Sequence, residues 1–243
     1  MDPKRISELL RPFFEPLTIS AIRACHSEPA SAREEPAFLS SAQLQAISTY
    51  IDLLLRWNTR INLTAIRDPE QIVTRHFGES LFAARHLFPD DSRVGPGLRP
   101  GRAEHSSATV ADIGSGAGFP GVPIKLWAPD VSLILVESNH KKAAFLREVT
   151  RALTLTRVNI QTVRAETLSG VEFDLVTLRA VERFAAVLPT VANLVAPAGR
   201  LALLVGSAQL DQARASLPQL SWSDAVPIPG SDSRILAVAH RPA

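Results

Sequence analysis

An open, doubly wound α/β sheet behind an N-terminal helical cap is the fold class predicted for this 243-residue chain. Three observations predict it. From residue 109 onward, short apolar runs alternate with helical patterns. Strands separated by helices pair in parallel, because each helix must cross over the sheet. The first apolar run, Val110-Ala-Asp-Ile113, leads directly into Gly114-Ser-Gly-Ala-Gly118, a glycine-rich turn that opens a helix. The first 88 residues lack this alternation and carry apolar side chains at helical spacing instead.

Within residues 1–22, Ile6, Leu9, Leu10, Phe13 and Phe14 share one helical face. Residues 23–40, with Pro29 and Pro36, read as a flexible insertion without a core pattern. Ser41 is placed to cap a helix whose apolar side is Leu44, Ile47, Ile51, Leu54 and Leu55. A second cap helix is expected over Pro69–Leu87, with Ile72, Val73, Phe77, Leu81 and Phe82 inward. Residues 89–108, rich in proline and glycine, read as a loop or linker. Strands are expected at 109–113, 132–136, 158–163, 173–178, 200–206 and 234–239. Helices are expected at about 121–128, 140–153, 184–195 and 208–216. The chain thus divides into a cap (1–88), a linker (89–108) and a sheet domain (109–243).

Composition narrows the class of protein. The 46% hydrophobic content supports one sizeable core with a smaller attachment. One cysteine, Cys25, excludes an internal disulfide framework and a thiol metal cluster. No His/Cys/Asp spacing suggests a metal ligand set. There is no apolar run near eighteen residues and no leader pattern at Met1, so a cytoplasmic protein without a membrane segment is expected. The net charge is only +2, which permits a local basic face without indicating one.

A strand, a glycine turn, a helix and an acid some twenty residues on (Glu137) build a Rossmann-like pocket for an adenosine-bearing ligand. Such turns serve NAD, FAD and S-adenosylmethionine alike, and a tight turn with no ligand is the plain alternative. Pro120 and Pro123 stand at the start of the following helix and remove amide donors that a pyrophosphate would need. S-adenosylmethionine has no phosphate, so these prolines favour it. Asp112 is an acid available to its amino group. Glu137 at a strand end suits two ribose hydroxyls, against the alternative of a surface ion pair with Lys141 or Lys142. Arg164-Ala165-Glu166 ends the third strand, where a backbone amide and a side chain can read an adenine edge.

Taken together, Trp57-Asn58, Asn62-Leu-Thr-Ala-Ile66, Arg75-His76-Phe-Gly-Glu79-Ser-Leu81 and Asp112–Gly121 resemble the RsmG (GidB) family. The resemblance continues through Glu137, Lys141–Leu146, Arg164–Glu166 and Leu178–Ala180, over about residues 41–206. It implies an S-adenosylmethionine-dependent methyltransferase sheet acting on N7 of a guanine in 16S ribosomal RNA, within the small subunit or as free rRNA. It also implies donor contacts at Gly114, Gly116, Phe119, Glu137, Ala165, Glu166 and Arg179. Asn58, Asn62, Arg75 and His76 would face the cleft as an RNA-side cluster. The chain departs from the family pattern twice: Glu79 stands where aspartate is usual, and Val205-Gly206 where Lys-Gly is usual.

The implied chemistry is consistent with the residues. Guanine N7 carries an in-plane lone pair and no proton, so attack on a sulfonium methyl needs no general base. Arg179 is the expected acceptor-positioning residue, its charge directed toward RNA or the donor's carboxylate, with helix capping or pairing with Glu182 as the alternative. His76 reads equally as a core histidine or a substrate-facing one. Arg56, Arg60, Arg67 and Arg75 on the cap, and Lys141, Lys142, Arg147, Arg151 and Arg157 around the second sheet-domain helix, are available for phosphates. Two other readings stay open on residues alone: a methyltransferase of another substrate class, and a non-catalytic rRNA-binding assembly factor.

Overall fold

The computed structural model describes residues 1–15, 38–89, 108–168, 170–180 and 184–243. Most of the 23–40 insertion and of the 89–108 loop, together with Cys25 and Glu182, lies outside the described residues.

The cap begins with α1 (Pro3–Leu10), capped by Asp2. In α2 (Ser41–Asn58) the N-cap is Ser40 rather than Ser41. Its hydroxyl accepts the Gln43 N–H while Gln43 Oε1 accepts the Ser40 N–H, a reciprocal box that Ser41 could not close. The helix expected over 69–87 is three pieces: α3 (Pro69–Ile72), a π-helical stretch over Val73–Gly78, and α4 (Glu79–Leu87). The apolar positions remain inward throughout, so the widened turn leaves no mark in the periodicity. Its close packing is visible at Gly78, where a Cβ would collide with the Phe13 ring.

The sheet domain follows as β1 (Thr109–Ile113), α5 (Gly121–Trp127), β2 (Ser132–Val136), α6 (His140–Ala152), β3 (Val158–Gln161) and β4 (Phe173–Arg179). Then come α7 (Phe184–Asn193), β5 (Val195–Gly206), α8 (Ala208–Ser216), the two-residue strands β6 (Ser221–Trp222) and β7 (Val226–Pro227), and β8 (Arg234–His240). Strand order is β3-β2-β1-β4-β5-β8-β6, with β7 also on β8. The first five strands are parallel, as the crossover helices require. β8 runs antiparallel to β5, which corrects the expectation of a wholly parallel sheet. After α8 the chain returns through short turns instead of a crossover helix, and that connection permits reversal.

Two hydrophobic clusters cover the two sheet faces. One contains Val176, Leu203, Leu188 and Ala213 under α7 and α8. The other joins Leu133, Val122 and Phe145 of the sheet domain to Ile47, Tyr50, Phe77 and Phe82 of the cap. The cap therefore closes one face of the sheet. Among the described residues no helix is long and apolar enough to cross a membrane.

Candidate active site

β1 has β2 on one side and β4 on the other, so the strand order reverses beside its C-terminal end. In open α/β sheets that is where a crevice forms. Here a cleft of about 610 Å³ opens there, with the glycine turn and Glu137 on one wall. Thr64, Arg75 and His76 of the cap form the other wall, with Arg179 and Arg234 at its base.

The turn is held from behind. Gly114, Gly116 and Gly118 have φ of 67°, 55° and 89°, a region favourable only to glycine. Asp112, fully buried, accepts the Gly121 N–H on Oδ2 and the Thr177 hydroxyl on Oδ1. Burial raises its carboxyl to about 6, although these donors, Ser115 and Arg179 pull the other way. Asp112 thus ties β1, β4 and the start of α5 together; it does not face the cleft as an acid for the donor, as the sequence suggested. Glu137 does face it. Its Oε2 accepts the Gly116 N–H at 2.9 Å and its Oε1 the Asn139 N–H at 2.7 Å, so backbone amides orient it. Among the described residues it makes no ion pair with Lys141 or Lys142, and its remaining lone pairs are open to hydroxyl donors.

Phe119 forms the floor. Its ring stacks on Tyr50 at 5.4 Å and on His76 at 4.8 Å, with Phe77 edge-on to it at 5.1 Å. The Tyr50 hydroxyl donates to the Ala117 carbonyl, which fixes the turn to α2. Burial, then Asp112, raises that phenol well above its ordinary value, so it stays protonated.

Arg179 is buried and used within the protein. Its Nη2 donates to the Arg75 carbonyl at 2.6 Å and to Glu79 Oε2 at 3.0 Å, and Nη1 reaches Ser80 Oγ at 3.3 Å. Arg179 lines the cleft, and within the protein its guanidinium holds the π-helical stretch against β4. Burial lowers it to about 10, opposed by Glu79. Glu79 in turn meets Arg75 at 3.1 Å, Arg179 at 3.0 Å and Arg234 at 2.9 Å. The Arg234 contact is a close charge pair without hydrogen-bond alignment. Arg234 stands opposite Gly206 across the β5–β8 pairing, so a cation reaches the end of β5 although Val205 is there.

Four predicted positions lie elsewhere. Asn58 is buried: its Oδ1 accepts the Leu63 and Thr64 N–H groups and its Nδ2 donates to the Thr64 carbonyl. Its side-chain oxygen and amide nitrogen are both used in the 58–64 turn, and it does not line the cleft. Asn62 is exposed and outside the cleft wall, as is Glu166. Ala165 is buried in the same hydrophobic cluster as Ile113 and Val136. Of the predicted basic residues, Arg56 pairs with Glu148 and Arg147 donates to Thr162. Lys142 lines the cleft. Sequence reasoning missed Thr64 and Arg234 as wall residues. Thr64 stands inside the Asn62-Leu-Thr-Ala motif, whereas Arg234 gave no signal before the direction of β8 was visible. Among the described residues no group of His, Cys, Asp and Glu could hold a metal.

Known proteins match this chain in both sequence and fold. The family model described as rRNA small subunit methyltransferase G matches residues 43–228. A protein from Halorhodospira halophila named "Ribosomal RNA small subunit methyltransferase G" is 37% identical over 181 residues, covering 74% of this chain and 78% of its own. One of the same name from Roseiflexus sp. is 39% identical over 212 residues, covering 82% and 84%. In fold, the chain is similar to the magnesium protoporphyrin IX methyltransferase of Synechocystis PCC 6803, solved with bound SAH. The TM-score is 0.57 at 15% identity, over 80% of this chain and 94% of that one.

Proposed function

This chain belongs to the rRNA small subunit methyltransferase G family, and we propose that it transfers the methyl group of S-adenosylmethionine to N7 of a guanine in 16S ribosomal RNA. One observation carries the reading: the glycine turn, Glu137 and an arginine-lined wall meet in one cleft at the sheet's reversal point.

The residues fit the donor. Gly116 has no side chain on the cleft wall, and a Cβ there would meet only the Gly114 carbonyl, so backbone can approach a ligand closely. Glu137 suits the ribose hydroxyls, and Gly114 and Phe119 complete the donor wall. S-adenosylmethionine supplies an electrophilic methyl on a sulfonium. Every other contribution is the protein's own positioning. His76 is held neutral: burial first, then Arg179, Arg234 and Arg75, lower it to about 3. Neither it nor any base is required, because N7 has no proton to lose. Arg75 and Lys142 give the cleft wall cations suited to phosphates, with Arg234 deeper in. Arg179 acts as a positioning residue through Glu79 and the backbone of Arg75. Arg234 fills the charge position left by Val205.

A cap over residues 1–88 and a sheet domain over 109–243 suit this division of labour, the cap supplying the acceptor wall. The enzyme is assigned to the cytoplasm, with 16S rRNA or the small subunit as its partner. The test is transfer of labelled methyl from S-adenosylmethionine by the purified protein to unmethylated small subunits and to free 16S rRNA. Nuclease digests are expected to contain label in 7-methylguanosine. Label in another nucleoside, or none in RNA, would overturn the assignment.

A further inference from the structure

The Thr64 hydroxyl lies on the cleft wall, and its hydrogen-bond partners dictate what it can offer. Its oxygen sits 2.8 Å from His76 Nε2 and accepts the Ile66 N–H at 3.1 Å. The direction of the histidine contact follows from the far side of the ring. Nδ1 of His76 lies 3.3 Å from Nη2 of Arg179, which is only ever a donor. A proton on Nδ1 would point at that cation, so the geometry favours the neutral ring with its proton on Nε2, donated to Thr64. Both lone pairs of the hydroxyl are then occupied. Its single proton remains, and among the described residues none accepts it. The group is rigid, because Asn58 grips Thr64 by both N–H and carbonyl.

We propose that Thr64 is the guanine-selecting residue, donating its hydroxyl proton to O6 of the acceptor base and leaving the neighbouring N7 lone pair open to the methyl group. This rests on the guanine-N7 assignment above. Guanine presents two acceptors, N7 and O6, on this edge, whereas adenine presents N7 beside an amino donor. A hydroxyl whose acceptor sites are both filled can satisfy O6 but would oppose an amino group. Rejection of a base that leaves buried polar groups unpaired is the stronger form of discrimination.

The test pairs a substitution in the protein with one in the RNA. Thr64→Val keeps the shape and removes the hydroxyl; 2-aminopurine at the modified position of ligated 16S rRNA keeps N7 and removes O6. For the wild-type protein, kcat/KM is expected to fall roughly 10–100-fold from guanine to 2-aminopurine, the range for an unpaired hydrogen-bonding group. Thr64→Val is expected to lose a similar factor on guanine and little more on 2-aminopurine, while Thr64→Ser recovers most of the activity. Multiplying losses, or a Thr64→Val enzyme equal to wild type on guanine, would overturn the proposal while leaving N7 transfer intact. A wild-type protein that transfers no methyl to guanine-containing rRNA would overturn both. Nitrogen-15 NMR of His76 in the wild-type protein gives a test independent of any variant's folding. The Nε2–H tautomer is expected, and the Nδ1–H tautomer would contradict the donor logic.

Discussion

Glu79 illustrates how much of the site depends on a side chain that never touches solvent appreciably. Its 1% exposed carboxylate is the common counter-charge of Arg75, Arg179 and Arg234, drawn from the cap, β4 and β8. Glu79→Gln keeps the volume but leaves two largely buried guanidinium groups without their anion. It should cost roughly 3 kcal/mol in denaturant unfolding, in the range for breaking a buried pair, and abolish methyl transfer. Wild-type stability in that variant would show that the three arginines do not depend on it. His76 yields a pH prediction. Its folded value of about 3 lies below the ordinary 6.5, so the unfolded chain binds more protons between them. The stability owed to neutral His76 is complete above 6.5 and is lost as pH falls toward 3. Asp112, raised to about 6, runs the other way: its contribution is present below 3.8 and lost as pH rises through 6. Comparison with His76→Gln separates the two, since its melting temperature should fall less steeply than wild type from pH 7 to 4.5. Identical slopes would contradict the assignment. Residue types were legible in the sequence, but their directions were not. Asn58 read as cleft-facing, and the internal partners of Arg179 went unread, because a motif names which side chains matter without saying which way they turn.

At the scale of elements, the glycine turn divides into positions with different duties. Gly118 has Tyr50, Val122 and Leu146 around the place a Cβ would take, while the space at Gly116 is open. Gly118→Ala should therefore destabilise the protein by several kcal/mol, with backbone strain adding to overpacking, roughly 1–3 kcal/mol for the latter alone. Gly116→Ala should cost only about 1 kcal/mol for its left-handed backbone while weakening S-adenosylmethionine binding by calorimetry. Equal melting temperatures for the two variants would refute this division. Alternation of strand and helix was readable from residue 109 onward because each element has its own period. What escaped was the direction of β8 and the π-helical stretch at 73–78. Period two is the same in parallel and antiparallel strands, and one widened turn keeps Val73, Phe77 and Leu81 inward.

For the whole molecule, cap and sheet share one core, and the cleft exists only where they meet. Tyr50 and Phe77 of the cap and Phe119 of the turn are stacked or edge-on to one another, so the donor wall is built partly from the cap. This explains why the glycine turn alone suggested only an adenosine-bearing ligand, while the cap motifs pointed to the acceptor. The acceptor end was less legible because its chemistry depends on side chains from Thr64 to Arg234, which only the fold brings together. In the enzyme so assembled, this cleft delivers a methyl group to N7 of a guanine in 16S rRNA. Mapping 7-methylguanosine along 16S rRNA, from cells with the protein and from cells lacking it, tests that most directly. One 7-methylguanosine is expected to disappear when the protein is absent and to return when it is restored. Indistinguishable maps from the two kinds of cell would contradict it.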